Sequence, residues 1–155
     1  MSQIYEVTAG KLKDVVEFLK ENWADFSKRP TAKIEERELT YWKEVYRNKR
    51  IFYYRGGSEE LISVLVLSQN NAVVRIEVLG VKPQYRHQGI GGQMLQFAEK
   101  AALMWSGEEI NILFSGREEV AQIFPRFHNL GYISQCPINQ KGTVLLAKRL
   151  KSIEK

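Results

Sequence analysis

The run Arg86-His87-Gln88-Gly89-Ile90-Gly91-Gly92 has the residue types and spacing of a phosphate cradle. Glycines at the mouth of a helix let the backbone approach a ligand closely, and the first helical turn leaves N–H groups without carbonyl partners at the positive end of the helix dipole. An anion is the natural guest there. Two familiar phosphate motifs do not match. A Walker loop needs Lys and then Ser or Thr after its last glycine, whereas Gly92 is followed by Gln93 and Met94. A dinucleotide fingerprint needs a third glycine where Met94 stands. On residues alone, the run is either a phosphate cradle or a glycine-rich turn from strand to helix.

The second chemical feature is a carboxylate in mid-strand. Between Ala72 and Val81, alternation puts Val74, Ile76 and Val78 on one face and Arg75, Glu77, Leu79 and Val81 on the other. Glu77 is costly to bury, and its simplest partner is Arg75, two residues away on the same face.

The elements that position these residues can be read from periodicity. After a short strand from Ile4 to Val7, the stripe Leu12, Val15, Val16 and Leu19 predicts a first helix, and Ile34, Leu39, Trp42, Val45 and Tyr46 predict a second. Strands are predicted at Ile51 to Arg55, Leu61 to Ser68 and Ala72 to Val81, with turns at Gly56-Gly57-Ser58 and Gln69-Asn70-Asn71. Ile90, Met94, Ala98, Ala101 and Trp105 give a long third helix its apolar face, stopped at Ser106-Gly107. A strand from Ile110 to Phe114, a helix from Arg117 to Leu130 capped by Gly131, and strands at Tyr132 to Cys136 and Thr143 to Leu150 complete the chain.

Arg86-x-x-Gly89-x-Gly91, following a strand that ends in Val81-Lys82-Pro83, resembles the signature of the GNAT superfamily of N-acetyltransferases, and the predicted order β-α-α-β-β-β-α-β-α-β-β is similar to that family's. The resemblance implies an α/β GNAT fold over 1–155, a single domain whose central mixed, mostly antiparallel sheet of about seven strands is flanked by four helices. It implies an enzyme that moves an acetyl group from acetyl-CoA to a primary amine of a small molecule or peptide by direct attack. Backbone amides of Arg86, His87, Gln88, Gly89, Ile90, Gly91 and Gly92 would hold the cofactor's pyrophosphate, and Leu79 and Val81 would offer backbone contacts to its pantetheine arm and the oxyanion. Glu77 would take a proton from the attacking ammonium, a task that favours a carboxylate lifted toward neutrality by partial burial.

One position departs from the family pattern. In Arg126-Phe127-His128-Asn129-Leu130-Gly131-Tyr132, Phe127 stands where the family's tyrosine protonates the departing thiolate, and phenylalanine has no proton to give. Solvent, His128 or Tyr132 would then supply it, although His128 also reads as a surface residue and Tyr132 as a core aromatic. The departure motivates a second expectation, a non-catalytic acyl-CoA-binding or regulatory module in which Phe127 still lines the cofactor. The acceptor would meet the stretch from Asn22 to Glu38 and the loop from Pro137 to Gly142. Homodimerisation is carried over from the resemblance alone.

Composition fits these expectations. The 155 residues are 44% hydrophobic and contain no Pro/Gly/Ser-rich linker, enough for one sizeable core. A net charge of +5 suits an anionic cofactor, but no basic patch is interleaved with aromatics as a nucleic-acid surface would be. There is no long apolar run and no basic, apolar leader, which predicts a cytoplasmic protein off the membrane. One cysteine and two histidines are too few soft ligands for a structural zinc site, and nothing supports a covalent acyl-enzyme, since Cys136 has no basic partner nearby in sequence and there is no Gly-x-Ser-x-Gly elbow.

Overall fold

The computed structural model describes residues 3–22, 43–44, 46–57, 60–85, 88–114, 127–134 and 144–150. Its elements are β1 (Ile4–Glu6), α1 (Leu12–Asn22), β2 (Arg50–Arg55), β3 (Leu61–Asn70), β4 (Val73–Val81), α2 (Ile90–Met104), β5 (Glu109–Phe114), β6 (Ile133–Ser134) and β7 (Val144–Arg149), with 3-10 turns at Ala9–Lys11 and Pro83–Tyr85. The strands form one mixed sheet in the order β1-β2-β3-β4-β5-β7-β6. Strand β2 pairs antiparallel with β1 and β3, and β7 antiparallel with β5 and β6, while β4 and β5 run parallel. A parallel pair needs a crossover, and α2 supplies it.

The chain divides into two compact units, Met1–Leu67 with Val78–Gln96, and Ser68–Glu77 with Phe97–Lys155. In the first, Leu12, Val15, Val16 and Phe18 of α1 pack with Tyr46, Ile51, Val64 and Val66, and Val7, Leu61 and Val78 close the rim. Strand β3 is buried from Ile62 to Leu67, which explains an apolar run there instead of alternation. In the second unit the buried hydrophobic residues among those described are Val74 and Ile76 of β4, Ala98, Ala101 and Ala102 of α2, Ile110 and Ile112 of β5, Leu146 and Ala147 of β7, and Phe127 and Tyr132. Burying one such Val, Leu or Ile side chain contributes about 1.5–3 kcal/mol, against about 0–1 for an exposed ion pair, so these clusters decide the fold.

Boundaries move by a residue or two from the sequence expectation, with two informative differences. Strand β3 runs on to Asn70, and the reversal falls at Asn71, whose φ of 57° suits asparagine in the left-handed region. At the end of α2 the left-handed residue is Ser106 (φ 62°), not Gly107. The N–H of Gly107 donates to Ala102 O (2.7 Å) and that of Ser106 to Leu103 O (3.0 Å), a Schellman ending. Gly107 is needed for space: a Cβ there would lie 2.9 Å from Ala102 O and 3.2 Å from Val74 Cγ2. The predicted helices over 34–46 and 117–130 lie mostly outside the described residues, of which Lys43, Glu44 and Phe127 to Asn129 are helical. The acceptor-facing stretches named above lie largely outside them too, as does Cys136.

Candidate functional site

The glycine-rich run begins where β4 ends, and its approach is firmly held. Past Val81 the backbone N–H of Lys82 donates to Ile62 O (2.8 Å), and the Ser63 hydroxyl donates to Gly80 O (2.6 Å). The 3-10 turn Pro83–Tyr85 closes with Tyr85 N–H on Lys82 O (2.9 Å). Glu60, just before β3, grips both ends of that turn: Lys82 Nζ lies 3.0 Å from Oε2 and the Tyr85 hydroxyl donates to Oε1 at 3.0 Å. That hydrogen bond to a carboxylate holds the Tyr85 hydroxyl above the ordinary phenol range. Lys82, which as a bare sequence reads as a solvated lysine, is thus an ion-pair partner.

Arg86 and His87 lie outside the described residues, and the run resumes at Gln88. Gly89 has φ +83°, a conformation only glycine adopts cheaply, and its carbonyl accepts the N–H of Gln93 (3.0 Å), the first bond of α2. Ile90 is buried. Gly91 and Gly92 are a different case, because the fold does not require them. A Cβ on Gly91 would meet nothing nearer than Val81 Cγ2 at 3.8 Å, and one on Gly92 nothing within 4 Å. Glycine inside a helix costs up to about 1 kcal/mol against alanine. Two such residues side by side keep the N–H groups of the first turn open to an approaching ligand, and no acidic residue stands in that turn to repel an anion.

On β4 the alternation is as expected, with Val74 and Ile76 buried and Gly80 packed beneath Ser63. The parallel register with β5 covers Val73 to Ile76, and β4 continues to Val81 with Leu79 and Val81 half-buried. Glu77 corrects the expectation of partial burial: it is exposed. It stands on the face opposite Val74 and Ile76, within hydrogen-bond reach of Ser68 on β3. The Ser68 hydroxyl donates to Glu77 Oε2 at 2.5 Å. Arg75 does not pair with Glu77; its Nε donates to Asn111 Oδ1 (2.9 Å), and Asn111 Nδ2 donates to Glu109 Oε2 (3.3 Å).

Phe127 is buried and meets the Tyr132 ring edge-on, centroids 5.1 Å apart at 86°. Tyr132 is wholly buried and donates its hydroxyl to Glu99 Oε2 (2.8 Å), while Lys148 Nζ lies 3.0 Å from Glu99 Oε1. Burial first, then the Glu99 charge and hydrogen bond, push the Tyr132 phenol far above its ordinary range. A phenol that must leave its anion buried against a carboxylate is a poor proton donor, so Tyr132 is the core aromatic. His128 is exposed. Sequence reasoning missed Glu99 and Lys148. The signal was present in part, for Leu95, Glu99 and Ala102 share one helical stripe whose other members are buried.

Of the expected site residues, Leu79, Val81 and the run from Gln88 to Gly92 fall in the first unit, where Val81 and Gly91 are neighbours. Glu77 and Phe127 fall in the second. Among the described residues, no group of three His, Cys, Asp or Glu side chains could hold a metal ion, and no helix is long and apolar enough to cross a membrane.

Comparison with known proteins identifies the family of this fold. The acetyltransferase (GNAT) family model matches residues 15–132. Among solved structures, the chain is similar to a putative acetyltransferase of the GNAT family from Desulfovibrio desulfuricans, with TM-score 0.73 at 9% identity over 96% of this chain and 98% of that one. It is similar to PaiA N-acetyltransferase from Thermoplasma acidophilum in complex with coenzyme A, with TM-score 0.69 at 18% identity over 96% and 99%. A third is a GNAT family acetyltransferase from Elizabethkingia anophelis with acetyl-CoA bound, with TM-score 0.68 at 19% identity over 95% and 97%.

Proposed function

Because the chain belongs to the acetyltransferase (GNAT) family, we propose that it transfers an acetyl group from acetyl-CoA to the primary amine of a small molecule or peptide, by direct attack within one domain spanning 1–155. The observation that carries the donor assignment is the turn Gly89-Ile90-Gly91-Gly92, where one glycine is required by its positive φ and two more are kept where a side chain would fit. Backbone amides from Arg86 to Gly92 hold the pyrophosphate in this reading. The structural neighbours from Thermoplasma acidophilum and Elizabethkingia anophelis, with coenzyme A and acetyl-CoA bound, support a CoA-type donor.

The donor supplies a thioester carbonyl; the chain's residues position it and move protons. Backbone groups of Leu79 and Val81 pair with the pantetheine arm and stabilise charge on the carbonyl oxygen. Glu77 accepts a proton from the ammonium, directly or through water, so that the nitrogen lone pair is available. The N–C bond then forms, the nitrogen gives its second proton to water, the C–S bond breaks, and the thiolate leaves with a proton from solvent or from the exposed His128, since Phe127 has none and Tyr132 is bound to Glu99. The test is acetyl-CoA-dependent release of free thiol with amines, polyamines, aminoglycosides, amino acids and peptides. Release with any of them supports the enzyme.

Phe127 favours a second reading, a non-catalytic acyl-CoA-binding or regulatory module. Calorimetric binding of CoA with no thiol release across the panel would select it.

A further inference from the structure

We infer that Ser68 is a positioning residue for Glu77, holding one carboxylate oxygen so that the other faces the incoming amine; this rests on the reading of Glu77 as the base. An exposed glutamate on a strand samples many rotamers, and ordering such a side chain costs about 1.5–2 kcal/mol. Among the described residues, Ser68 is the one hydrogen-bonding partner of the Glu77 carboxylate, and the 2.5 Å bond to Oε2 leaves Oε1 as the available acceptor. A short O–H···O bond of this kind is charge-assisted and directional.

The surrounding charges make the choice of partner meaningful. Arg75, the cation on the same face of β4, is drawn across to Asn111 Oδ1 on β5, and Asn111 is held in turn by Glu109. Next to Ser68, Gln69 Nε2 is occupied by the carbonyls of Asn71 and Trp105, each at 3.0 Å. Glu77 is therefore held by a neutral hydroxyl instead of a guanidinium. An arginine at hydrogen-bond distance would favour the ionised carboxylate strongly and make it a reluctant proton acceptor. A serine hydroxyl fixes its direction without bringing a charge beside it.

The experiment compares the full chain with Ser68→Ala, Ser68→Thr, Glu77→Gln and the double variant Ser68→Ala/Glu77→Gln, using an amine from the panel that is turned over. Ser68→Ala should lower kcat about five- to tenfold near neutral pH with the KM for acetyl-CoA unchanged. Ser68→Thr should restore kcat. Adding Ser68→Ala to Glu77→Gln should cost nothing further. A parent-like kcat in Ser68→Ala, or an equal loss of rate in the Glu77→Gln background, overturns the inference. A parent-like rate in Glu77→Gln overturns the base assignment itself.

Discussion

At the scale of single residues, the glycines separate structural need from ligand need. Gly89 serves the backbone, whereas Gly91 has room for a Cβ 3.8 Å from Val81 Cγ2. Gly91→Asp should therefore fold while placing a side chain and a negative charge where phosphate must sit. Calorimetry is expected to show acetyl-CoA binding lost at an unchanged melting temperature; parent-like binding would remove the loop from the site. Glu77→Gln keeps shape without basicity, and its acetyl-transfer rate should fall roughly a hundredfold near neutral pH. The deficit should shrink at higher pH, where the amine is already deprotonated. A rate–pH profile equal to the parent's would return Glu77 to the solvated surface of β4. The glycine spacing and the mid-strand glutamate were both legible in the sequence because they are local patterns. The exposure of Glu77 was not, and neither was its hydrogen bond with Ser68, since both depend on residues that the fold brings from other parts of the chain.

At the scale of elements, two fastenings tie α2 to its surroundings. The Tyr132–Glu99–Lys148 group joins residues 33 and 49 positions apart, and no local pattern announces a pair so distant. Tyr132→Phe should lower stability by about 1–2 kcal/mol, read by urea unfolding, and leave thiol release unchanged. Lost turnover in a folded variant would instead make Tyr132 the proton donor. The other fastening is the ending of α2. Relieving the left-handed Ser106 with Ser106→Gly should stabilise by about 0.5–1 kcal/mol, the strain removed less the extra chain entropy of glycine. Gly107→Ala should destabilise, its Cβ meeting Ala102 O and Val74. The opposite order in melting temperature would refute the geometry. The sequence pointed to Ser106-Gly107 as a stop, and could not say which residue turns left-handed, because Gly107 is a glycine for a packing reason.

At the scale of the whole molecule, the order of elements along the chain and the helices α1 and α2 were readable because apolar stripes and runs are strong where a core must close. Acid sensitivity is also a property of the whole. Glu6 on β1 accepts two bonds from Arg50 on β2, one of them Nη2 to Oε1 at 2.9 Å, and the Arg50 hydrogen bonds hold its carboxyl below the usual range. A carboxyl lowered in the folded state contributes stability above its unfolded value and loses it as pH falls through the folded one. Both partners are nearly half exposed, at 49% and 45%, so the contribution is at most about 1 kcal/mol. Between pH 5 and 3, unfolding free energy should fall less steeply for Glu6→Gln than for the parent; equal slopes would show that the pair is screened out.

The placement of strands within the sheet has a consequence for handling the protein. The two outermost strands, β1 and β6, are three and two residues long among the described residues, whereas β3 and β4, with ten and nine, lie inside. At β1, three residues long, the margin offers few free backbone groups on which a neighbouring molecule could extend the sheet. Heating reverses this protection. The stretch from Ile62 to Leu67, apolar but for Ser63 and without charge or proline, is fully sheltered in the native state and becomes a template for cross-β association once exposed. Thermal unfolding is therefore expected to end in precipitation, with the apparent melting point rising with scan rate.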